Sequence, residues 1–316
     1  MRCAIIIPYF GKLPPFFELF LVSCAYNKDF DWLIYTDDHQ IYQYPFNVKV
    51  KYTSFTEFKN KIKSKFDFNI VIDRPHKLCD YKVAYGYIFE DEIQKYDYWG
   101  HGDLDLVYGD LNAFLSSFME EGYDKIYSLG HLSIYKNEFN INRVFMTSIG
   151  SVSPYKQVFS SDFGYAFDEW HCKLGSINQI FEKLELKFYK YNECANLDSK
   201  YNGFKLSNYI INFGNYVVDS NSKNIFSYKE GKLYRHYIKF NALKMKEYPY
   251  IHFHKRNMRI DTKDFRNFLI VPNSFGVHQE ITIDIVKKLS KVSVFNKQLF
   301  KTKIINLRYR LMQMLK

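Results

Sequence analysis

The chain has 316 residues, a net charge of +10 and five cysteines. The cysteines are odd in number and none forms a Cys-x-x-Cys pair, which argues against a disulfide framework and against a structural zinc site. The first apolar run is too short for a signal peptide, and no run approaches the roughly twenty residues of a membrane-spanning helix. We therefore expect a cytoplasmic protein that is long enough for a large α/β core.

The first third of the chain alternates between strand and helix patterns. Strands are predicted at residues 4–8, 31–38 and 48–52, and helices at residues 16–26 and 53–65. This rhythm predicts an α/β fold with a mostly parallel central sheet flanked by helices.

The ends of the first two predicted strands are candidate ligand sites. In open α/β sheets, ligands bind outside the carboxyl ends of the strands, where Pro8, Tyr9 and Phe10 follow the first strand. Asp37 ends the second strand, where an acid can hydrogen-bond a ribose, although a solvated turn would show the same pattern.

A charged segment lies where the next helix, over residues 84–93, is expected to begin. It contains Lys77, Asp80 and Lys82. Helix N-termini attract anions and lysines add positive charge, so phosphate or nucleotide contacts are one reading and a surface charge cluster is the other.

The most informative stretch runs from Tyr96 to Asp110. Within it, Asp103 and Asp105 are separated by one apolar residue and follow an aromatic, glycine-containing strand pattern. In an extended backbone, side chains at i and i+2 point the same way, so both carboxylates aim into one small volume. Such a pair repels unless a cation lies between, and oxygen ligands suit Mg²⁺ or Mn²⁺.

An acidic and aromatic segment follows at residues 160–171. Carboxylates beside aromatic rings suit a sugar acceptor, and Asp168 or Glu169 is a candidate general base. A helix N-terminus would favour the same acids.

Two histidines at alternate positions form the second candidate cluster. His252 and His254 share one face of a predicted strand, and imidazole nitrogen is a good ligand for Mn²⁺ as well as zinc. Lys255 and Arg256 follow directly and could hold diphosphate oxygens.

The positive charge is concentrated at the end of the chain. Nine lysines and arginines and no acid lie between Lys287 and Lys316. Apolar residues recur between them at roughly helical spacing from residue 292. This is typical of a basic amphipathic helix on an anionic membrane surface, although a helix packed on its own domain or on a partner would look similar. The nearly neutral body gives no reason to expect nucleic acid as a partner.

In combination, these segments resemble bacterial glycosyltransferases of the GT-A fold from capsule and lipopolysaccharide gene clusters. The resemblance covers about residues 1–260. It is carried by residues 4–11, the Lys-Leu-Cys-Asp-Tyr-Lys segment at 77–82 with Ala-Tyr-Gly at 84–86, the Trp-Gly-His-Gly-Asp-Leu-Asp core at 99–105, and Ile-His-Phe-His-Lys at 251–255.

The resemblance implies a GT-A-like, Rossmann-like domain over 1–260, with a nucleotide-sugar half at 1–110, an acceptor half at 111–260 and a C-terminal extension at 261–316. It implies a nucleotide-sugar donor and Mn²⁺ (or Mg²⁺). Asp103 would face the ribose and the metal, Asp105 would be the firmer ligand, and His252 or His254 would complete the metal shell. Lys255 would neutralise the diphosphate.

The predicted function is therefore transfer of a hexose, from a donor such as a UDP-hexose, to a glycan or lipid-linked acceptor at the inner face of the membrane, with retention favoured over inversion. Two other readings remain open. A metal-dependent nucleotidyltransferase would also use paired acids, although no Walker A motif occurs. A non-catalytic carbohydrate-binding peripheral membrane protein would explain the aromatic residues and the basic tail.

Overall fold

The structure is a computed structural model that describes residues 1–211, 214–219, 221, 223–292, 300 and 304. It is a mixed α/β protein with several sheets. The predicted tail helix from residue 292 lies outside the described residues except at 292, 300 and 304.

The described strands are β1 (Cys3–Tyr9), β2 (Phe30–Thr36), β3 (Val48–Tyr52), β4 (Tyr98–Gly102), β5 (Leu106–Tyr108), β6 (Lys125–Leu129), β7 (Leu132–Lys136), β8 (Phe188–Tyr189), β9 (Ala195–Asn196), β10 (Ser207–Ile210), β11 (Asn215–Val218), β12 (Asn224–Lys229), β13 (Lys232–Lys239), β14 (Ala242–Tyr248), β15 (Tyr250–His252), β16 (Arg259–Ile260), β17 (Asn267–Val271) and β18 (Ser274–Val277). The described α-helices are α1 (Phe17–Ala25), α2 (Phe55–Lys63), α3 (Tyr85–Ile88), α4 (Glu90–Ile93), α5 (Leu111–Glu120), α6 (Pro154–Phe159), α7 (Ile177–Lys183) and α8 (Ile283–Leu289).

The chain forms two compact units that interleave along the sequence. Unit 1 contains Met1–Leu13, Asn27–Leu104 and Leu111–Asn192, and unit 2 contains Pro14–Tyr26, Asp105–Asp110 and Glu193–Lys316. The strand β17, which lies beyond residue 260, pairs with β12 inside a sheet of unit 2.

Unit 1 is built on a seven-stranded sheet in the order β3-β2-β1-β4-β7-β6-β8. The strands β3, β2, β1 and β4 are mutually parallel, whereas β7 runs antiparallel to both β4 and β6. The three strands predicted at the start of the chain are confirmed as β1, β2 and β3. Because β1, β2 and β4 are parallel, their carboxyl ends lie at one edge of the sheet, which places Phe10, Asp37 and Asp103 along that edge.

The helices of unit 1 follow local sequence signals in part. The helix predicted over residues 53–65 is present as α2, and it begins with a capping box: the Ser54 side chain accepts from the Glu57 amide, and the Glu57 carboxylate accepts from the Ser54 amide. The single helix expected over residues 84–93 is instead two short helices, α3 and α4, preceded by a 3-10 helix at Pro75–Ala84. Gly86 is required in α3, because a Cβ there would lie 2.3 Å from the Trp99 indole.

Unit 2 contains a six-stranded sheet in the order β14-β13-β12-β17-β18-β16 and a three-stranded sheet in the order β5-β15-β9. A two-residue turn between Lys229 and Lys232 connects β12 to β13. Buried aromatic residues fill the core of this unit, including Phe226, Phe253 and Phe275.

Candidate metal centre

The three-stranded sheet of unit 2 brings distant residues together. β15 runs antiparallel to β5, with His252 opposite Leu106, and parallel to β9, with His252 opposite Asn196. The Phe253 amide donates to the Asp105 carbonyl at 3.0 Å, which extends the pairing past the start of β5. The backbone therefore sets Asp105 and His252 side by side.

The Asp105 carboxylate is buried and faces two donors of the late segment. Its Oδ1 lies 3.5 Å from His252 Nε2, and its Oδ2 accepts from the Lys255 amide. Burial alone would raise the pKa of Asp105, but the nearby His252 and the hydrogen bonds outweigh burial and lower this pKa below its usual range. Asp105 is therefore an anion held in place inside the fold.

Asn196 fixes the proton position on His252. The Asn196 Nδ2 donates to the Ser207 carbonyl at 3.0 Å, so its Oδ1 faces the imidazoles. That oxygen lies 2.9 Å from His252 Nδ1 and 2.7 Å from His254 Nε2. An amide oxygen only accepts, so His252 Nδ1 must donate its proton, and the Nε2 of the neutral ring carries a lone pair.

This arrangement fits a cation. A neutral His252 would present a lone pair to the Asp105 carboxylate at 3.5 Å, which is unfavourable unless a proton or a metal lies between them. Two atoms that each lie about 2.1 Å from one ion are within about 4.2 Å of each other, so the observed separation suits two ligands of one metal. Carboxylate and imidazole together suit Mn²⁺.

Asp103 adds the third ligand atom. Asp103, Asp105 and His252 each offer one atom, and these atoms all lie within 4.8 Å of one another. The two acids are separated only by Leu104, so their closeness follows from the local backbone. This group of three residues can hold a metal ion, and we call it the Asp-Asp-His group.

His254 and Lys255 form a tight turn after β15. Both have positive φ angles, 50° and 57°, which residues with bulky side chains rarely adopt. The His254 ring centroid lies 4.1 Å from that of His252, with the ring planes tilted by 38°, but His254 is not in the Asp-Asp-His group and hydrogen-bonds Asn196 instead. The turn directs the Lys255 amide to Asp105 and leaves the Lys255 side chain exposed. Arg256 is buried, where its guanidinium donates to the carbonyls of residues 201 and 202.

In unit 1, Lys82 is the partner of Asp103. The Lys82 Nζ donates to Asp103 Oδ1 at 2.7 Å and to the Gly130 carbonyl at 2.8 Å, and it lies 3.9 Å from Asp168 Oδ2. Burial would lower the pKa of Lys82, but the charges of Asp103, Cys79 and Asp168 outweigh burial and raise it. Lys82 is therefore a buried cation that connects Asp103 with Asp168.

The predicted acid pair lies against the turn between β6 and β7. The Gly130 amide donates to Glu169 Oε1 at 3.2 Å, and a Cβ on Gly130 would lie 2.3 Å from Asp168 Oδ2. Burial, together with the neighbouring acids Glu169, Asp80 and Asp103, raises the pKa of Asp168 to about 8. Asp168 therefore keeps its proton to a higher pH than an ordinary exposed carboxyl group.

Lys77 and Asp80 have a different environment from the one expected. Positions i and i+3 eclipse in a 3-10 helix, and both side chains are buried with the Lys77 Nζ 2.8 Å from Asp80. The same ammonium donates to the carbonyls of Val158 and Phe163, while Asp80 accepts from the amides of residues 165 and 167. This buried pair holds the 158–167 loop, and three acceptors occupy the three Lys77 protons.

The residues predicted at the ends of the first strands lie together in unit 1. Asp37 Oδ1 accepts from the Gly11 amide at 2.7 Å, so this carboxylate fixes the loop after β1. Phe10 packs on the rings of Phe55 and Phe58, both at 5.3 Å. Pro8 and Tyr9 are the last two residues of β1, directly before this loop, and both are partly exposed.

Two residues of the site were not found from the sequence. The role of Asn196 depends on the pairing of β9 with β15, 56 residues along the chain, so no local pattern indicates it. No local pattern indicates Gly130. A side chain is excluded there because it would collide with Asp168, which is close in space but distant in sequence.

The fold and the site define an α/β protein with a candidate divalent-metal centre. The chain belongs to a family of unknown function, DUF6625, which matches residues 5–279. No curated protein matches the chain. Among the described residues, no helix is long and apolar enough to cross a membrane.

Proposed function

We propose that this chain is a metal-dependent glycosyltransferase of GT-A-like fold that transfers a hexosyl group from a nucleoside-diphosphate sugar, of which UDP-hexose is the first to test. The observation that carries the proposal is the Asp-Asp-His group, whose three ligand atoms lie within 4.8 Å of one another. Cleavage of a sugar–phosphate bond builds negative charge on the departing diphosphate. A bound Mn²⁺ or Mg²⁺ would stabilise that charge.

The residues of the Asp-Asp-His group and those next to it have side chains suited to binding a metal and a diphosphate. Asp105, Asp103 and His252 Nε2 would hold the metal, and Asn196 orients the imidazole. The exposed Lys255 side chain follows directly on the segment that contacts Asp105. A lysine ammonium there would bind the diphosphate oxygens and so assist departure of the leaving group.

Lys82 and Asp168 supply the second part of the proposal. Through Lys82, the Asp103 carboxylate is connected to Asp168, whose pKa is raised to about 8. Asp168 and Glu169 would bind sugar hydroxyls, and either carboxylate could accept the proton of the acceptor hydroxyl if the enzyme inverts. A retaining reaction would need no such base. We favour retention because, among the glycosyltransferases that this chain resembles, a late histidine and lysine near the diphosphate, here His252 or His254 and Lys255, are more typical of retaining enzymes.

We further propose a glycan or lipid-linked acceptor and action at the inner face of the membrane. Residues 287–316 carry nine cations and no acid, and such segments are attracted to anionic lipid. This part of the proposal depends on sequence alone, because most of the segment lies outside the described residues.

The experiment is UDP release from a panel of UDP-sugars by purified protein, with Mn²⁺ or with a chelator. We expect Asp105→Asn to lower turnover at least about 100-fold. The matched control is Asp91→Asn, since the Asp91 side chain is 78% exposed. Turnover that persists with chelator or in Asp105→Asn would refute the proposal. Release of pyrophosphate from a nucleoside triphosphate would support the nucleotidyltransferase reading. Binding of the donor without turnover would support a non-catalytic carbohydrate-binding protein.

A further inference from the structure

An unusual hairpin turn joins β13 and β14 in unit 2. Lys239 pairs with Ala242, so the loop consists of Phe240 and Asn241 alone. Their φ angles are 52° and 57°. Two-residue loops with two positive φ angles favour asparagine and glycine, whereas a bulky residue is strained there. The neighbouring hairpin in the same sheet uses Glu230 and Gly231, which suit such a loop better.

The strained residue is also the most exposed aromatic side chain of the described part of the chain. Phe240 is 90% exposed, and Met245 on β14 is 63% exposed. A ring that is 90% exposed at a hairpin tip buries almost no apolar surface in the folded chain, while its backbone conformation costs stability. A strained and exposed residue of this kind points to a role outside folding.

Lysines surround this tip. Residues 239–246 contain three lysines, Lys239, Lys244 and Lys246, and no acid. All three are exposed, and Lys239 lies over the Phe240 ring at 5.5 Å. Lysine on an edge strand such as β14 also prevents strand-to-strand aggregation, but that purpose does not explain the Phe240 side chain.

The other side of the hairpin is anchored. Ile238 and Leu243 form a cross-strand pair and pack with Val286 of α8. The base of the hairpin is therefore held by packing against α8, so its tip would be presented to a partner with little ordering cost.

We propose that the β13–β14 hairpin is a membrane-contact element that inserts Phe240 into an anionic bilayer while Lys239, Lys244 and Lys246 bind the lipid headgroups. An apolar wedge beside cations is complementary to a surface that offers negative charge above hydrocarbon. The element is separate from the basic tail beyond residue 292, and the inference does not depend on the proposed enzymatic activity.

The direct test uses Phe240→Trp in the full chain and vesicles that contain lipids with brominated acyl chains. We expect quenching of the added fluorescence, relative to wild-type protein, with phosphatidylcholine–phosphatidylglycerol vesicles and not with phosphatidylcholine alone. Phe46→Trp is the matched control, because Phe46 is 70% exposed but has no lysine or arginine in residues 37–47. Absence of quenching at 240, or equal quenching at 46, would overturn the proposal even if the protein binds vesicles through its tail.

Two further variants separate binding from folding. Replacing the three lysines by glutamine should weaken partitioning onto the anionic vesicles by roughly tenfold or more. Phe240→Gly should raise the melting temperature, because glycine accepts the positive φ, and should weaken vesicle binding at the same time. Unchanged vesicle binding in both variants would contradict the proposal. So would binding to a soluble acidic polymer without any quenching at position 240.

Discussion

At the scale of single residues, the candidate site depends on hydrogen bonds that determine which nitrogen of His252 carries the proton and which carries the lone pair. The shared contact of His252 and His254 with one amide oxygen of Asn196 determines which nitrogen of His252 faces Asp105. The orientation of that oxygen is itself fixed by the bond from the Asn196 amide nitrogen to Ser207. Residues that hydrogen-bond a metal ligand and orient it, as Asn196 does for His252, often decide how tightly the metal is bound.

The first residue-scale prediction concerns Asn196. Asn196→Ala removes the acceptor that orients both imidazoles, so we expect Mn²⁺ affinity to fall about tenfold to 100-fold in a calorimetric titration. The control is Asn224→Ala, a buried amide of the same unit that bonds Phe204 and Asn221. That variant should lose stability and keep its Mn²⁺ affinity. Equal affinity in Asn196→Ala and wild type would show that the amide does not orient a ligand.

The second residue-scale prediction concerns Gly130. In Gly130→Ala, a methyl group would lie 2.3 Å from Asp168 Oδ2, so the acid must move. We expect turnover to fall at least about tenfold while Mn²⁺ affinity stays within about twofold, because the metal ligands are other residues. Gly276→Ala is the control, since nothing lies within 4 Å of a Cβ there. A loss of metal binding without a loss of turnover would contradict this assignment.

At the scale of elements, ion pairs join β2, β3, α2 and α4 in unit 1. The Glu92 carboxylate accepts from Tyr35, Lys51 and Lys61. Lys51 and Lys61 also lie over the Tyr35 ring, at 5.6 and 5.7 Å. Burial would raise the pKa of Glu92, but the bonds from the two lysines and Tyr35 outweigh burial and lower this pKa to about 2.

The lowered pKa predicts a pH-dependent contribution to stability. A depressed carboxyl pKa stabilises the folded state above the unfolded value of 4.5, and the contribution is lost as pH falls toward 2. Glu92→Gln should therefore lower the free energy of unfolding by about 1 kcal/mol at neutral pH, after allowance for solvent screening. Denaturant unfolding should show this difference shrinking from pH 5 to pH 3. Exposed Glu120→Gln should show no such trend, and a constant difference for Glu92→Gln would contradict the assignment.

Some elements of unit 1 were predictable from the sequence and others were not. β1, β2, β3 and the capped helix α2 were predictable because burial patterns and caps are local signals. The 3-10 helix at Pro75–Ala84 was not, because the burial of Lys77 and Asp80 depends on hydrogen-bond partners more than 70 residues away, which are acceptors for Lys77 and donors for Asp80. The two readings of this segment, phosphate contacts and a surface charge cluster, therefore did not include the buried ion pair of Lys77 and Asp80.

At the scale of the whole molecule, the sequence could not predict that the chain crosses between two compact units several times. The spacing of Asp103 and Asp105 was sufficient to predict paired carboxylates, and the structure adds His252 as their neighbour. The choice between His252 and His254 required the pairing of β15 with β9, which no local pattern encodes.

The central claim is that Asp103, Asp105 and His252 together bind one divalent ion. Titration of Mn²⁺ into wild-type protein, followed by the loss of the free-ion electron paramagnetic resonance signal, tests it most directly. We predict one tight site in the wild type and in Asp91→Asn, and at least about tenfold weaker binding in Asp105→Asn and in His252→Ala. Wild-type affinity in both of those variants, or no bound Mn²⁺ in the wild type, would contradict the account.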